Sequence, residues 1–329
     1  MRAAVITTPG DADVFAIQEL PDPQPGPEEA LVAVRATALN RADLLQRRGR
    51  YPGPAGTRDD LPGLEMAGEV IETGANVTAV KPGDRVMALL AGGGYGSRIV
   101  VHERMLMAIP ANLTFEQAAS IPEVFLTAFD AMFGQCELQP GESTLVHAVG
   151  SGVGSAAVQL ASAAGCRVFG TAGSAEKLAQ AGELGLNVGI NYKDEDFAEV
   201  VRARTERRGV DVILDVIGGP YWNQNLAALA MRGRMVIVGT LGGSKVEVEL
   251  GALMGKRARV HGTLLRSRPL EEKAALTQAF AKRWVPLFAS ERLVPVVDRV
   301  YALAEVSDAH RYMETNANFG KIVLRHDAD

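Results

Sequence analysis

A glycine-rich turn joins a strand-like apolar run to a helix-like run of small residues, and this turn constrains the fold more than any other feature. Residues 144–164 read TLVHAVGSGVGSAAVQLASAA. A strand that passes through such a turn into a helix begins a βαβ unit, and backbone N–H groups at the helix N-terminus are then placed to bind a pyrophosphate. We expect a dinucleotide to contact four successive residues here: Ser151, Gly152, Val153 and Gly154.

The turn departs from the strict G-x-G-x-x-G spelling. Counting from Gly150 and Gly152, the last position holds Ser155. A tight strand-to-helix turn with close helix–sheet packing is therefore the alternative interpretation of the glycines. The βαβ context around the turn favours dinucleotide binding.

Strand-like and helix-like runs alternate around the turn. The strand-like runs RVFGTAG, GINY, DVILDVIG and GRMVIVGT are separated by the helix-like runs AEKLAQAGELG, DFAEVVRART and YWNQNLAALA. Such alternation predicts parallel strands connected by crossover helices. The expected fold class is α/β, with a doubly wound parallel-sheet Rossmann domain at residues 123–263.

The flanking segments have a different pattern. Residues 1–122 contain short β-branched runs such as ALVAVRATAL and AGEVIETG, punctuated by Gly and Pro, which predicts a β-rich domain with many turns. A helix is expected over residues 269–289, and the final strand-like run GKIVLR is expected to return to the first domain. This assigns residues 1–122 and 264–329 to the β-rich domain, with a cleft between the two domains.

Composition narrows the class of partner. A net charge of −5 argues against a basic surface for nucleic acid, so no nucleic acid partner is expected. No run approaches the roughly 20 apolar residues of a membrane span, and Pro9 interrupts the N-terminal apolar stretch. We expect a cytoplasmic protein with no membrane partner. Its two cysteines are too few for a disulfide framework or a four-ligand zinc site, and they are expected to be buried thiols.

The segment after the second strand indicates which dinucleotide binds. NAD sites usually carry an Asp or Glu about 20 residues past the glycine turn. Here FGTAGSAEKL places Gly173 and Ser174 at the strand end and Lys177 one helical turn later. A hydroxyl and an ammonium bind the 2′-phosphate that a carboxylate would repel, so the residues favour NADPH. Tyr192, in INYKDEDF, is expected over the same pocket; an exposed cation and a half-buried ring are the alternative roles.

Taken together, these motifs resemble the zinc-free quinone oxidoreductases, the zeta-crystallin-like branch of the medium-chain dehydrogenase/reductase superfamily. The resemblance runs nearly end to end, and LLRSR at 264–268 is most similar to the p53-inducible quinone oxidoreductase type. It implies a GroES-like fold for the β-rich domain and a homodimer, with an edge strand around Lys245–Leu250. The motifs that carry it, besides the glycine turn and INYKDEDF, are ALNRADLLQRRGRYP, LPGLEMAGEVIETG, VKPGDRVMAL, IPEVFLTAFDAM, DVIGGPYW and NANFGKIVL.

The positions of the metal ligands are altered relative to zinc-dependent relatives, which carry a Cys near position 40 and a Gly-His-Glu loop. This chain has Asn40 and the loop Gly63-Leu64-Glu65. Leu64 has no lone pair to offer, and an amide is a poor zinc ligand, so no metal is expected. Glu65 is expected to be a structural carboxylate. Without zinc an alkoxide is not readily formed, which favours reduction of a conjugated carbonyl over alcohol oxidation.

The resemblance implies an NADPH-dependent reductase that transfers hydride to quinones. It makes Tyr51 a donor of a hydrogen bond or proton, and Asn40 and Asp43 groups that orient the cofactor; packing and loop capping are the alternatives. Enones, alkenals and enoyl thioesters are alternative acceptors, and a structural or RNA-binding crystallin-like protein is the non-enzymatic alternative. Further implied cofactor contacts are Thr127, Gly239, Leu241, Leu264, Leu265 and Asn316, with Asn318 as an alternative to the last.

Overall fold

The structure is a computed structural model that describes residues 1–326, and the chain forms two compact units. The first unit consists of Met1–Leu126 and the C-terminal part that begins at Leu265. The second unit consists of Thr127–Leu264.

Strands dominate the N-terminal part of the first unit. They are β1 (Arg2–Ile6), β2 (Phe15–Glu19), β3 (Glu29–Ala38), β4 (Glu65–Thr73), β5 (Arg85–Leu89), β6 (Arg98–His102) and β7 (Met107–Ala108). The helices are α1 (Arg41–Arg47), α2 (Phe115–Ala119) and α3 (Pro122–Phe129).

Strands and helices alternate in the second unit. The strands are β8 (Ser143–Val146), β9 (Arg167–Ala172), β10 (Val188–Asn191), β11 (Val210–Asp215), β12 (Leu229–Ile237) and β13 (Arg259–Gly262). The helices are α4 (Gly152–Ala163), α5 (Ala175–Glu183), α6 (Phe197–Arg204), α7 (Trp222–Ala228) and α8 (Leu250–Lys256). The C-terminal part of the first unit then adds α9 (Leu270–Arg283), α10 (Val285–Ala289), β14 (Val297–Ala302), α11 (Val306–Glu314) and β15 (Lys321–Arg325).

The second unit is built on a six-stranded parallel sheet in the order β10-β9-β8-β11-β12-β13. All residues of the central strands β8 and β11 are buried, as expected for parallel strands covered on both faces. The strand order reverses direction at β8, and in such sheets ligands bind outside the carboxyl ends of the strands at this switch point. The predicted α/β class with a doubly wound parallel sheet is confirmed.

The first unit contains a seven-stranded sheet in which β15 pairs antiparallel with β3. This pairing carries the end of the chain back to its beginning, as the sequence predicted. It also places Lys321, the first residue of β15, beside the carboxyl end of β3, because Leu39 N–H donates to Ile322 O at 2.9 Å. The site described below depends on this juxtaposition.

Two local expectations differ from the structure. The helix expected over residues 269–289 is divided into α9 and α10 at Trp284, because Pro286 has no N–H with which to continue the helical ladder. The edge strand expected around Lys245–Leu250 is not formed: residues 245–249 adopt no regular structure, and α8 begins at Leu250. The edge strand that follows this segment in the parallel sheet is β13, which pairs with β12.

Candidate functional site

The first turn of α1 holds Asn40 and Asp43 together. Asn40 is the N-cap, and its backbone N–H donates to Asp43 Oδ2 at 2.7 Å, which forms half of a capping box. Both side chains are buried, with exposed fractions of 6% and 0%. The structure thus brings two of the three predicted catalytic residues into direct contact and shows that loop capping, the alternative role, is part of what they do.

A buried lysine completes this cluster. Lys321 Nζ donates to Asn40 Oδ1 at 2.6 Å and to the carbonyl of Leu39 at 2.7 Å, and it lies 2.7 Å from Glu65 Oε1. Asn40 Nδ2 donates to the same carboxylate oxygen at 3.0 Å. The second oxygen of Glu65 accepts the backbone N–H of Glu123 at 2.8 Å. All three ammonium protons therefore have acceptors, and the amide oxygen of Asn40 is fixed in orientation.

Asp43 is also the end of a directed chain of hydrogen bonds. Arg47 Nη1 can only donate, so His310 Nδ1, 3.3 Å away, accepts, and the neutral ring carries its proton on Nε2. His310 Nε2 lies 3.0 Å from Tyr95 Oη and donates this proton to it. The Tyr95 hydroxyl in turn donates to Asp43 Oδ2 at 3.3 Å. Burial lowers the pKa of His310 to about 3, and burial raises the pKa of Asp43 to about 6. The raised pKa leaves Asp43 able to change protonation near neutral pH.

Tyr51 lies in the loop after α1 and is half-buried. The guanidinium of Arg266 lies 5.0 Å from the centroid of its ring, and Nη1 donates to the Tyr51 carbonyl at 3.0 Å. Burial raises the pKa of Tyr51, the charge of Arg266 opposes that rise, and Glu123 and Asp43 add to it. The phenol is therefore protonated at neutral pH and able to donate a hydrogen bond.

A cavity of about 460 Å³ lies in the same unit. Its size falls in the range of small-molecule sites, and its walls include the loop segments 56–58 and 91–93. The apolar part of the lining comes from Leu61, Leu89, Leu90, Ile99, Val101 and Met105.

The glycine turn of the second unit is shaped to receive a dinucleotide. Ser151 caps α4, accepting from Gly154 N–H at 3.0 Å and donating to Ala148 O at 2.7 Å. A Cβ at Gly154 would lie 2.1 Å from that same carbonyl, so only glycine lets the helix approach the strand this closely. Gly152 and Val153 open the helix, where N–H groups have no intrahelical partner and are directed towards an anion.

Among the predicted 2′-phosphate residues, Gly173, Ser174 and Lys177 follow β9 along the chain, and Tyr192 follows β10. Ser174 caps α5 and accepts from the backbone N–H of Lys177, whose side chain is half-buried. A Cβ at Gly173 would lie 2.6 Å from Tyr192 Oη and 3.2 Å from Lys193 Cε, so both side chains lie against the strand end. Lys193 was not predicted from the sequence, and it adds an ammonium-bearing side chain beside Gly173.

The remaining predicted contacts are distributed over both units. In the second unit, Thr127 is half-buried and Gly239 follows β12. Leu241 and Leu264 are each 58% exposed. The backbone N–H of Leu241 donates to Val216 O at 3.1 Å. In the first unit, Leu265 is buried, Asn316 accepts from Arg41 Nη2 beside Asn40, and buried Asn318 donates to Gly320 O.

A second buried network supports the loop after β11. Asn225 Nδ2 donates to Asp215 Oδ2 at 3.1 Å, so its carbonyl accepts from His147 Nε2 at 2.6 Å. His147 Nδ1 faces the hydroxyl of Thr171 at 2.9 Å, and burial lowers the pKa of His147 to about 4. Asp215 Oδ1 in turn accepts the N–H groups of residues 217 and 218. This neutral histidine fixes a loop at the carboxyl ends of the strands.

Lys321, Arg266 and the His147 network were not assigned to the site from the sequence. Their partners are far away along the chain, so no local spacing indicates them. Within residues 1–326 no cluster of three or more His, Cys, Asp or Glu side chains is arranged to hold a metal ion. In the same range no helix is long and apolar enough to cross a membrane.

Comparisons with known proteins match two separate parts of the chain to two family models. Residues 26–111 match the family model of the alcohol dehydrogenase GroES-like domain, and residues 152–282 match that of the zinc-binding dehydrogenases. The human synaptic vesicle membrane protein VAT-1 homolog is 33% identical over 353 residues, covering 98% of this chain and 86% of that protein.

Solved structures with the same fold cover almost the whole chain. A quinone oxidoreductase of Pseudomonas syringae pv. Tomato DC3000 is 32% identical with a TM-score of 0.86, covering 98% of this chain and 99% of that one. The CurK enoyl reductase is 29% identical with a TM-score of 0.88 and 99% coverage of both chains. A mycobacterial protein complexed with NADPH is 29% identical with a TM-score of 0.86, covering 99% of this chain and all (100%) of that one.

Proposed function

Because the chain belongs to the medium-chain dehydrogenase/reductase superfamily, we propose that it is an NADPH-dependent oxidoreductase that transfers hydride to quinones without zinc. The observation that carries the zinc-independent part is the ammonium of Lys321. It engages both Asn40 Oδ1 and Glu65 Oε1, at 2.6 and 2.7 Å. A cation already bound to these two oxygens leaves neither of them available to a metal ion, and Leu64 offers no lone pair.

NADPH is the cofactor, and the structure offers two matched features for it. The N-terminus of α4 suits the pyrophosphate, because glycine permits close approach and the helix dipole favours an anion. The strand end at Gly173 and Ser174 carries no carboxylate, and Lys177 follows within one turn of α5. The mycobacterial relative complexed with NADPH supports the same assignment.

The acceptor chemistry follows from the groups in the first unit. NADPH supplies the hydride when bound. As a quinone gains hydride, negative charge develops on its oxygen, and a preorganised donor that meets this oxygen lowers the barrier. Tyr51 is that donor in our proposal, since its pKa is raised and it stays protonated at neutral pH. Asn40 and Asp43 hold the nicotinamide end in orientation, because their own rotamers are fixed by Lys321 and the capping box.

Enone and enoyl-thioester reduction is the second candidate. The CurK enoyl reductase covers 99% of this chain at a TM-score of 0.88, which is as close a structural match as the quinone oxidoreductase. Both reactions place negative charge on a carbonyl oxygen after hydride transfer, so the same Tyr51 donor serves either. None of Asn40, Asp43 and Tyr51 lines the cavity of about 460 Å³, so its size favours neither class of acceptor.

A substrate panel tests this function. NADPH oxidation is measured against ortho-quinones, para-quinones, enals and an enoyl thioester at matched concentrations. Our proposal expects the highest kcat/KM for a quinone. A preference of tenfold or more for the enoyl thioester would replace it by the second candidate, and no turnover with any acceptor would contradict both.

We also propose a homodimer. Val246, Leu250 and Met254, in and after the segment named from the sequence, are 41%, 64% and 74% exposed. These exposed apolar side chains are the surface on which we propose that a second copy packs. The cytoplasmic location stays a prediction.

A further inference from the structure

Arg266 is a buried cation with neutral partners. Its exposed fraction is 6%, and its guanidinium donates to the Ala91 carbonyl at 2.7 Å, to the Tyr51 carbonyl at 3.0 Å and to Gln46 Oε1 at 2.7 Å. Within residues 1–326 no carboxylate forms an ion pair or a hydrogen bond with it. All of its hydrogen-bond acceptors are therefore neutral, and the carboxylates of Asp43 and Asp59 act on it through space without a direct contact.

The other buried arginines are treated differently. Arg47, with no exposed side-chain surface, pairs with Glu314 at 2.5 Å, and Arg234 pairs with Glu142 at 2.7 Å. Removing a guanidinium from water without a counter-ion is unfavourable, and buried arginines are ordinarily paired. Arg266 is the exception among the three arginines that are buried within residues 1–326. A buried cation without a directly paired carboxylate is expected where its field is used.

Arg266 lies close to the ring and the backbone of Tyr51. Its guanidinium carbon lies 5.0 Å from the centre of the Tyr51 ring, and the same group ties the Tyr51 backbone to Gln46 and Ala91. The backbone of neighbouring loops packs closely around it, since a Cβ at Gly53 would lie 3.2 Å from Nη2. The planar, rigid guanidinium of an arginine fixes three chain segments at once, which the flexible ammonium of a lysine does not.

We propose that Arg266 is a positioning residue for the acceptor site: it fixes the Tyr51 loop and supplies the positive charge that makes the Tyr51 phenol a stronger donor towards an oxygen that becomes anionic. This inference rests on the proposed function and deepens it. It selects acceptors whose charge collects on one carbonyl oxygen after hydride gain, as in quinones and enones. A nearby cation stabilises both that oxygen and the phenolate left after proton donation.

The quantity that tests this proposal is the pKa of Tyr51, on which several neighbouring groups act. Burial, Glu123 and Asp43 raise the pKa of Tyr51, and Arg266 lowers it. Asp59 acts on Arg266 from the same loop region. Removing the charge of Arg266 leaves only influences that raise the pKa of the phenol, so that pKa should rise by about one unit or more.

The test uses the full chain labelled with 3-fluorotyrosine, because ring fluorination makes the phenol more acidic and brings its titration to a pH at which the fold is retained. The chain has six tyrosines, and the ¹⁹F signal of Tyr51 is the one missing from Tyr51→Phe. We compare wild type, Arg266→Gln, Arg266→Lys and the control Arg104→Gln, whose exposed guanidinium pairs with Glu271. We expect the pKa of Tyr51 to rise in Arg266→Gln only.

Kinetics complete the test. We expect Arg266→Gln to lower kcat for a quinone about tenfold to a hundredfold with the Kd for NADPH unchanged, and Arg266→Lys, which keeps the charge, to recover at least a tenth of wild-type turnover. A folded Arg266→Gln with an unchanged Tyr51 pKa overturns the proposal. If that variant does not fold, Arg266→Lys decides: a folded lysine variant with a pKa raised by a unit overturns it.

The two failures are distinguishable. The titration needs no acceptor, so a wild type that reduces no quinone contradicts the proposed function while the pKa comparison still decides how Arg266 acts on Tyr51. A wild type that reduces quinones, together with an Arg266→Gln variant of unchanged pKa and turnover, leaves the proposed function standing and overturns this inference.

Discussion

Lys321 Nζ lies 2.7 Å from Glu65 Oε1, and the two side chains are 4% and 0% exposed. Replacing the lysine by methionine leaves the carboxylate buried without its counter-ion, which should cost about 3–5 kcal/mol of unfolding free energy. Urea denaturation followed by circular dichroism measures this. Lys81→Met is the matched control, because Lys81 pairs with Asp84 at 2.9 Å on the surface and should cost less than about 1 kcal/mol. Equal losses in the two variants would contradict the assignment of a buried pair.

Metal removal should leave activity untouched. The oxygens of Asn40 and Glu65 are engaged by the ammonium of Lys321, and Leu64 has no donor atom. Dialysis against a chelator, followed by an assay of NADPH-dependent quinone reduction, should give the rate of the untreated protein. Activity that is lost on chelation and restored by zinc would contradict the zinc-independent interpretation.

The stability of the second unit should decrease as the pH falls below neutrality. Burial lowers the pKa of His147 from 6.5 to about 4, so the unfolded chain binds its proton first. The contribution of this neutral histidine is present above pH 6.5 and is lost as the pH falls towards 4. The difference amounts to roughly 3 kcal/mol of unfolding free energy.

Fluorescence of Trp222 measures this loss in a Trp284→Phe background, since the chain has two tryptophans. His147→Asn should flatten the slope between pH 6.5 and 4. In the first unit the effects oppose one another, because the pKa of His310 is lowered to about 3 while that of Asp43 is raised to about 6. A variant with the wild-type slope would show that other groups control the acid sensitivity.

The parts of the structure that sequence predicts are those encoded locally. The glycine turn and the alternation of strands and helices depend on residues within a few positions of each other, so a single sequence is enough to predict them. Lys321 meets Asn40 across 281 positions, and Arg266 meets Tyr51 across 215. Such contacts follow from the pairing of β15 with β3 and from loop packing, which periodicity does not encode.

The error in the helix and the missed residues have different causes. Pro286 is visible in the sequence, and its effect on the helix expected over 269–289 is a local rule that the richness of this run in Ala, Leu and Lys outweighed. Lys193 follows Tyr192 directly and was overlooked because only its position over Gly173 identifies it. The roles of Tyr51, Asn40 and Asp43 stay predictions until they are tested in solution.

Tyr51→Phe should lower turnover without weakening cofactor binding. The phenol is protonated at neutral pH, and a donor that acts only as charge develops contributes to kcat rather than to binding. We expect kcat for a quinone to fall about tenfold to a hundredfold, with the Kd for NADPH unchanged in a fluorescence titration. Tyr312→Phe is the control, since it removes a hydroxyl that donates to Asp298 at 2.9 Å. An unchanged kcat in Tyr51→Phe would return this residue to a packing role.

The preference for NADPH over NADH should depend on Lys177. The 2′-phosphate carries close to two negative charges, and we propose that Lys177, in the first turn of α5 after the Ser174 cap, binds it. Losing a hydrogen bond that involves charged groups costs on the order of 1–3 kcal/mol. Lys177→Ala should therefore raise the KM for NADPH roughly fivefold to a hundredfold and leave kcat and the KM for NADH nearly unchanged.

Two further variants and the ionic strength sharpen this last expectation. Lys193→Ala should raise the KM for NADPH as well, by less than Lys177→Ala, because Lys193 is exposed and its interaction is more strongly screened. Lys81→Ala, which removes an exposed ammonium from the first unit, should change neither KM. Higher salt should narrow the wild-type preference for NADPH, since a partly exposed ion pair weakens as the Debye length shrinks. A wild type that uses NADH as well as NADPH, or a Lys177→Ala variant that weakens both cofactors equally, would mean that the lysine is an ordinary surface charge.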